Sequence, residues 1–153
     1  EDTLKFIRRG HDLKSFEEAV KKLKERNIFV VVHIINGLPY ETKEMMIETV
    51  KYLNTLGIDG IKIHMLYIST GTPLALIYKD HPFPLLTKEE YIDIVCEQLE
   101  YLDPKIVIMR ITGDPIKEEL IAPTWLVKKF CVLNDIDKEM KKRDIYQGDK
   151  VIP

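Results

Sequence analysis

An α/β fold built on a parallel sheet is what this sequence predicts, and three observations carry the prediction. Segments with helical spacing alternate with β-branched apolar runs. Each of three such runs stops at a glycine-containing corner: "NGLPYET", "STGTPL" and "TGDP". At 153 residues and 45% apolar content, the chain can bury most of one core, with nothing to suggest two. The element order is helix, strand, helix, strand, helix, strand, helix, the alternation that builds parallel strands through right-handed crossovers. Three strands do not close a barrel, since an eight-stranded one needs about 250 residues. The chain is therefore a small open sheet or a piece of something larger.

The first helix is expected from Ser15, where Ser15 and Glu18 have capping-box spacing and Phe16, Ala19, Val20 and Leu23 fall on one stripe. "IFVVVHII" reads as a strand buried on both faces. After the Gly37-Leu38-Pro39 corner, Thr42 can cap a helix carrying Met46, Val50 and Leu53 inward, with Gly57 placed to end it. A second strand, "GIKIHMLYI", runs from Gly60 to Ile68, and "STGTPL" leads into a short apolar helix or loop as far as Tyr78. Beyond "HPFP", Thr87 and Glu90 form a second capping box, with Leu86 and Tyr91 as a hydrophobic staple, so a helix runs to about Leu102. "KIVIMRIT" is the third strand. A last helix, starting near Thr124, should carry Leu126, Phe130, Leu133 and Met140 inward before the polar "DKEMKKRD" face.

Lys and Arg total 23 against 25 Asp and Glu, a formal net charge of -2, so no long-range field draws the chain to nucleic acid or anionic membrane. Cys96 and Cys131 lack the Cys-x-x-Cys spacing of a metal knuckle or redox pair, and with no disulfide framework a reducing, cytoplasmic setting is expected. No run approaches the roughly 20 apolar residues that span a bilayer, and no charged-then-apolar leader opens the chain. It begins "EDTLKF" without Met, which suggests an excised or truncated product.

Ligands in parallel α/β folds sit beyond the C-terminal ends of the strands. Glycine at those corners lets backbone amides approach a ligand, and proline fixes the local path. Polar residues within the strands narrow the search. Lys62 and His64 alternate and share one face of the second strand, and Arg110 and Thr112 share one face of the third. His33, alone in its apolar run, is expected to be a satisfied core histidine on composition. No Ser-His-Asp order, metal-spaced histidine pair or phosphate-loop lysine is present.

The run "VVVHIINGLPYETKEMMIETVKYLNTLGIDGIKIHMLYISTGTPLALIY" resembles the later part of the barrel of radical S-adenosylmethionine (SAM) enzymes, in which Gly-Leu-Pro-x-Glu-Thr and Gly-Thr-Pro-Leu end successive strands. With "RRGHD", "RITGD" and "LIAPTW", the chain is similar over nearly its whole length to the C-terminal half of the YhcC-like subfamily, which is related to elongator-type proteins and oxygen-independent coproporphyrinogen oxidase. The resemblance implies a partial (β/α) barrel of the radical SAM type, with about three parallel strands and flanking helices. Residues 1–153 would be a single domain, the C-terminal portion of a six-stranded barrel whose cluster-binding N-terminal part is absent. It also implies the cofactors SAM and a [4Fe–4S] cluster, with SAM cleaved reductively to a 5′-deoxyadenosyl radical.

Three cysteines of an earlier loop hold the cluster in that family, and neither Cys96 nor Cys131 matches them, so no metal ligand is assigned and the chain alone is expected to be inactive. By position, Arg9 matches an arginine near the bound SAM, and His33 stands where the coproporphyrinogen oxidase branch has a SAM-contacting aspartate. Tyr67 matches the position whose backbone meets the adenine, and Gly37, Leu38 and Pro39 would form part of the adenine wall. Lys62, His64, Arg110 and Asp114 are the candidates to face an unknown small-molecule or RNA-derived substrate; a base or a phosphate would suit Arg110 and Lys62. The alternative readings are a scaffold or binding domain that never carried a cluster and a small phosphate-binding α/β enzyme. An unpaired sheet edge also predicts self-association, with no membrane partner.

Overall fold

The computed structural model of the protein describes residue 10 and residues 12–151. Arg9 lies outside the described residues.

Helix α1, Leu13–Lys24, starts earlier than Ser15 because Asp12 is the better cap: its carboxylate accepts from the Ser15 backbone N at 2.8 Å, which leaves Ser15 inside the first turn. Strand β1, Val31–Asn36, follows. Helix α2, Lys43–Asn54, is capped by Thr42 as expected, and Met46, Ile47, Val50 and Leu53 point inward. Strand β2 is Gly60–Met65, shorter than the expected run, because Ile68–Ser69 leaves the sheet and forms a separate strand, β3.

Helix α3, Pro73–Asp80, is capped by Thr72, with Pro73 in its first turn. Helix α4, Lys88–Tyr101, opens on the Thr87–Glu90 capping box, both halves of which form. Strand β4 is Val107–Arg110, and a short β5, Leu120–Ala122, pairs antiparallel with β3. This two-residue-scale pairing had no legible period. A 3₁₀ turn, Thr124–Lys128, then leads into α5, Lys129–Arg143. Its inward stripe is Val132 and Ile136, with Leu126 from the preceding turn, and Met140 packs against that stripe. Phe130, expected inside, is 73% exposed, because the tighter 3₁₀ winding before it rotates the face.

The main sheet has the order β1-β2-β4, all parallel. One face carries Val32, Ile34, Ile61, Ile63 and Met65, packed in a single core with Val50 and Leu53 of α2 and Tyr91, Val95 and Leu99 of α4. Fully burying a side chain of this size stabilises by roughly 1.5–3 kcal/mol, so this layer is the main source of stability. The other face holds Val31, His33, Ile35, Lys62 and His64, none of them buried. The two-face-buried reading of β1 is therefore corrected: the helices of the described chain cover one side only. Beside β1, whose far edge pairs with no strand among the described residues, lies a groove of about 790 Å³ lined by Phe16, Leu23, Val31, Ile35, Met45 and Tyr52 among others.

Helix α4 is tied to its neighbours at both ends. Lys43 reaches Asp93 at 2.5 Å and Glu97 at 2.6 Å, and Arg143 meets Asp93 at 2.8 Å. At its C-terminus, orphan carbonyls are taken up by the tail: the Gly148 N donates to Leu99 O at 2.9 Å and the Lys150 N to Glu100 O at 2.8 Å. Gly148 has φ +84°, and a Cβ there would lie 2.6 Å from Pro104 Cδ. Gly148→Ala is therefore expected to destabilise the chain by about 1–3 kcal/mol, read as a lower urea midpoint with an unchanged slope; an unchanged midpoint would show that the tail does not dock in this way.

Candidate functional site

The three parallel strands end side by side, and the corners meet at one end of the sheet. After Asn36, Gly37 takes φ +83°, a conformation glycine adopts without a side-chain penalty. A Cβ on Gly37 would meet Leu86 Cγ and Cδ1 at 2.9 Å, so the close approach at this corner is to Leu86. Its backbone N points at Met46 Sδ, 3.2 Å away. At the end of the third strand the Gly113 N lies 3.1 Å from Met65 Sδ in the same arrangement. Leu38 and Glu41 close a turn through Glu41 N to Leu38 O at 3.1 Å, with Pro39 buried and Tyr40 at φ +70°, 84% exposed.

Beneath the Gly37 corner lies a polar pair in the core. Asn36 and Gln98 exchange hydrogen bonds: Asn36 Nδ2 donates to Gln98 Oε1 at 2.7 Å and Gln98 Nε2 to Asn36 Oδ1 at 2.9 Å. Gln98 Nε2 also donates to Met46 O at 3.0 Å, and the Leu66 N donates to Asn36 O at 2.8 Å. Both side chains are buried, at 1% and 0% exposure. The pair joins the end of β1 to α2, α4 and the end of β2. Sequence reasoning missed it, although a signal existed: Gln98 falls on the apolar stripe of α4, seven residues after Tyr91.

On the open face the register aligns His33 with Lys62 and Lys62 with Arg110, making one row across three strands. A shift between Ile61 and Lys62 creates the second alignment, since Ile61 still faces Ile108 and Met109 is skipped. The rings of His33 and His64 stack with centroids 5.5 Å apart. His33, expected in the core, is exposed instead, because its face of the sheet is not covered. The Nε2 of His64 is buried with no hydrogen-bond partner among the described residues. Burial, and then the charges of His33, Arg110 and Lys62, hold the His64 pKa below the ordinary 6.5.

The remaining candidates divide. Tyr67 is half-buried at the end of β2 and packs against the core beside Gly113. Thr112 does not share Arg110's exposure: it is 4% exposed past the end of β4, and its hydroxyl donates to Gly113 O at 2.8 Å. Asp114 is exposed and paired with Lys129 at 2.8 Å, an ion pair that holds its carboxyl below the usual range.

A [4Fe–4S] cluster does not fit this chain. Cys96 is buried in α4, where desolvation pushes its thiol up to about 11, and Cys131 is exposed on α5. Among the described residues no group of three His, Cys, Asp or Glu side chains could hold a metal ion, and no helix is long and apolar enough to cross a membrane. For SAM the residues fit better. Gly37, Leu38 and Tyr67 lie at the same end of the sheet.

Comparison with known proteins adds to this geometry. The Radical SAM C-terminal domain matches residues 58–142, and the Radical SAM superfamily matches residues 1–53. The chain is 43% identical to YtqA of Bacillus subtilis (strain 168), over 97% of the chain and 46% of YtqA. It is 35% identical to MJ0486 of Methanocaldococcus jannaschii, over 95% of the chain and 46% of that protein, and 26% identical to YhcC of Escherichia coli (strain K12), over 94% and 46%. It thus spans about half the length of the relatives it matches. Among solved structures, archaeal Elp3 of Methanocaldococcus infernus superposes with a TM-score of 0.83 over 95% of this chain and 34% of that one, at 21% identity, a likeness of fold.

Two outcomes test the site's construction. Gln98→Leu leaves the Asn36 amide buried without a partner and should cost about 1–3 kcal/mol; adding Asn36→Leu should cost less than the two single effects summed, and strict additivity in the double-mutant cycle would refute the coupling. The depressed His64 pKa has a definite sign. The native state resists protonation that the unfolded chain accepts near 6.5, so the contribution is complete above that pH and is lost as pH falls below it. Wild-type stability relative to His64→Asn should therefore decline between pH 8 and pH values below 6.5, by urea denaturation.

Proposed function

The chain belongs to the radical SAM family through its C-terminal domain, and on that premise we propose that it forms the later half of a barrel enzyme that cleaves SAM reductively to methionine and a 5′-deoxyadenosyl radical, which abstracts a hydrogen atom from an unidentified substrate. The observation that carries this reading is the strand-end geometry: a left-handed Gly37 corner, Tyr67 and Gly113 gathered at one end of a parallel sheet above a polar, uncovered face. When bound elsewhere in the intact protein, a [4Fe–4S] cluster would supply the electron that splits SAM into methionine and a 5′-deoxyadenosyl radical.

The residues of this chain then have simple tasks. Gly37, Leu38 and Pro39 form one wall beside the adenine, and Tyr67 offers backbone polar groups to its edge. Arg9, outside the described residues, matches by sequence position an arginine near the bound SAM in the related branch. The His33 imidazole can give or take one hydrogen bond at the sugar. Lys62, His64, Arg110 and Asp114 face the substrate from the sheet and the β4 end. Asn36 and Gln98 act from behind, holding the corner in position.

The test uses the full-length protein, reconstituted anaerobically with iron and sulfide and given dithionite as reductant. It should form 5′-deoxyadenosine from SAM. The 153-residue chain, without cluster cysteines, should bind SAM weakly or not at all. A full-length protein that holds a cluster and yields no 5′-deoxyadenosine, with or without candidate substrates, would support a scaffold instead.

The chain alone should also self-associate. The edge of β1, unpaired among the described residues, and the apolar groove between α1 and α2 support this, because in the intact protein further strands would continue the sheet there. Sedimentation should show concentration-dependent dimers or larger species. A clean monomer with no dye-binding apolar surface would count against the half-barrel reading.

A further inference from the structure

On the sheet's uncovered face, Lys62 and Arg110 sit directly opposite one another on β2 and β4, with His33 beyond Lys62 on β1. Like charges opposed across strands destabilise a sheet, so the fold gains nothing from this placement. Nor does the chain lack acids to spare. Elsewhere, cations that face a neighbouring element are matched: Lys24 with Asp59, Lys43 with Asp93 and Glu97, Lys88 with Asp135, Lys150 with Glu100. Lys62 and Arg110 make no ion pair and no side-chain hydrogen bond among the described residues. Asp114, whose carboxylate feels the Arg110 charge, is itself paired with Lys129 at 2.8 Å.

The register shift in β4 sharpens the point. Strict alternation from Ile108, which faces the core, would send Arg110 to the core side as well, opposite Ile63; skipping Met109 brings it level with Lys62. A backbone irregularity thus assembles a pair of cations that the fold does not otherwise need.

We propose that Lys62 and Arg110, with His64 as a third donor one pleat nearer the strand ends, form an oxyanion site that holds a phosphate or carboxylate group of the substrate. The proposal rests on the reading of this face as the chamber wall, and it names the substrate's chemical class. Arg110 supplies a planar fork and Lys62 a point charge, and beside them the His64 ring has an Nε2 without a partner among the described residues, free to donate once an anion reaches it. The groups facing His64 are His33 from β1, Lys62 from its own strand and Arg110 from β4, and each lowers its pKa along with burial. A bound anion reverses that field and should raise the His64 pKa.

The experiment uses cluster-free, SAM-free full-length protein, so that it reads anion binding and is independent of 5′-deoxyadenosine formation. Inorganic phosphate and succinate are titrated separately by calorimetry, and the His64 C2 proton is followed by NMR against pH. Binding of either anion, an upward shift of the His64 titration, and a loss of affinity of roughly tenfold or more in Lys62→Gln and in Arg110→Gln are expected. Binding of phosphate alone assigns a phosphoryl group, and of succinate alone a carboxylate. Lys105→Gln, at the opposite end of β4, should bind as wild type, and circular dichroism should show all three variants folded. If neither anion binds, or if folded Lys62→Gln and Arg110→Gln bind as tightly as wild type, the proposal is overturned, while 5′-deoxyadenosine formation by the loaded protein would still stand or fall separately.

Discussion

Burial of one face of the β1-β2-β4 sheet against α2 and α4 is the constraint from which the other features follow. Parallel strands joined by right-handed crossovers put successive helices on the same side, and Ile61, Ile63, Val50 and Val95, with exposures of 0%, mark the plane where they meet. Because α2 and α4 fall on that side, the opposite face is left for something else. It carries His33, Lys62 and His64 where a two-sided sheet would carry valine or isoleucine. The asymmetry of covering thus separates a structural face from a chemical one within the same strands.

Polar groups inside the structural face are few and fully matched. The Asn36–Gln98 exchange spans four elements and places the end of β1, and with it Gly37, relative to α2 and α4. Half-satisfied, such a pair would be worse than an apolar contact; satisfied, it fixes a single arrangement. Two methionine sulfurs sit under the glycine amides at strand ends, Met46 beneath Gly37 and Met65 beneath Gly113. Soft, adaptable side chains of this kind fill space behind a corner without forcing its path.

Electrostatics on the two faces contrast in the same way. On the helical side, Lys43, Asp93, Glu97, Arg143 and Glu139 form a linked surface network whose individual pairs contribute little but which together hold α2, α4 and α5 in register. On the sheet side, positive charge accumulates locally in a chain whose net charge is only -2. Global charge therefore says nothing about this row; only its placement does.

Local chemistry was legible from the residues alone. Thr42 and Thr87 cap helices where their spacing with following donors or acids requires it, the capping box at Thr87–Glu90 forms in full, and β-branched runs became strands, because each of these depends on near neighbours in the chain. The glycine corners and the family motifs around them were equally visible, and so was the α/β order. Features that depend on distant partners were not. His33 looked like a core residue until the sheet was seen to be covered on one side, and Phe130 looked inward until the 3₁₀ turn rotated α5. Arg110 shares Lys62's face only because one residue of β4 is skipped in the pairing, and a period of two in the sequence carries no trace of where that skip occurs. Face, register and exposure are properties of strand pairs and layers, so they emerge only when segments far apart in the chain are packed together.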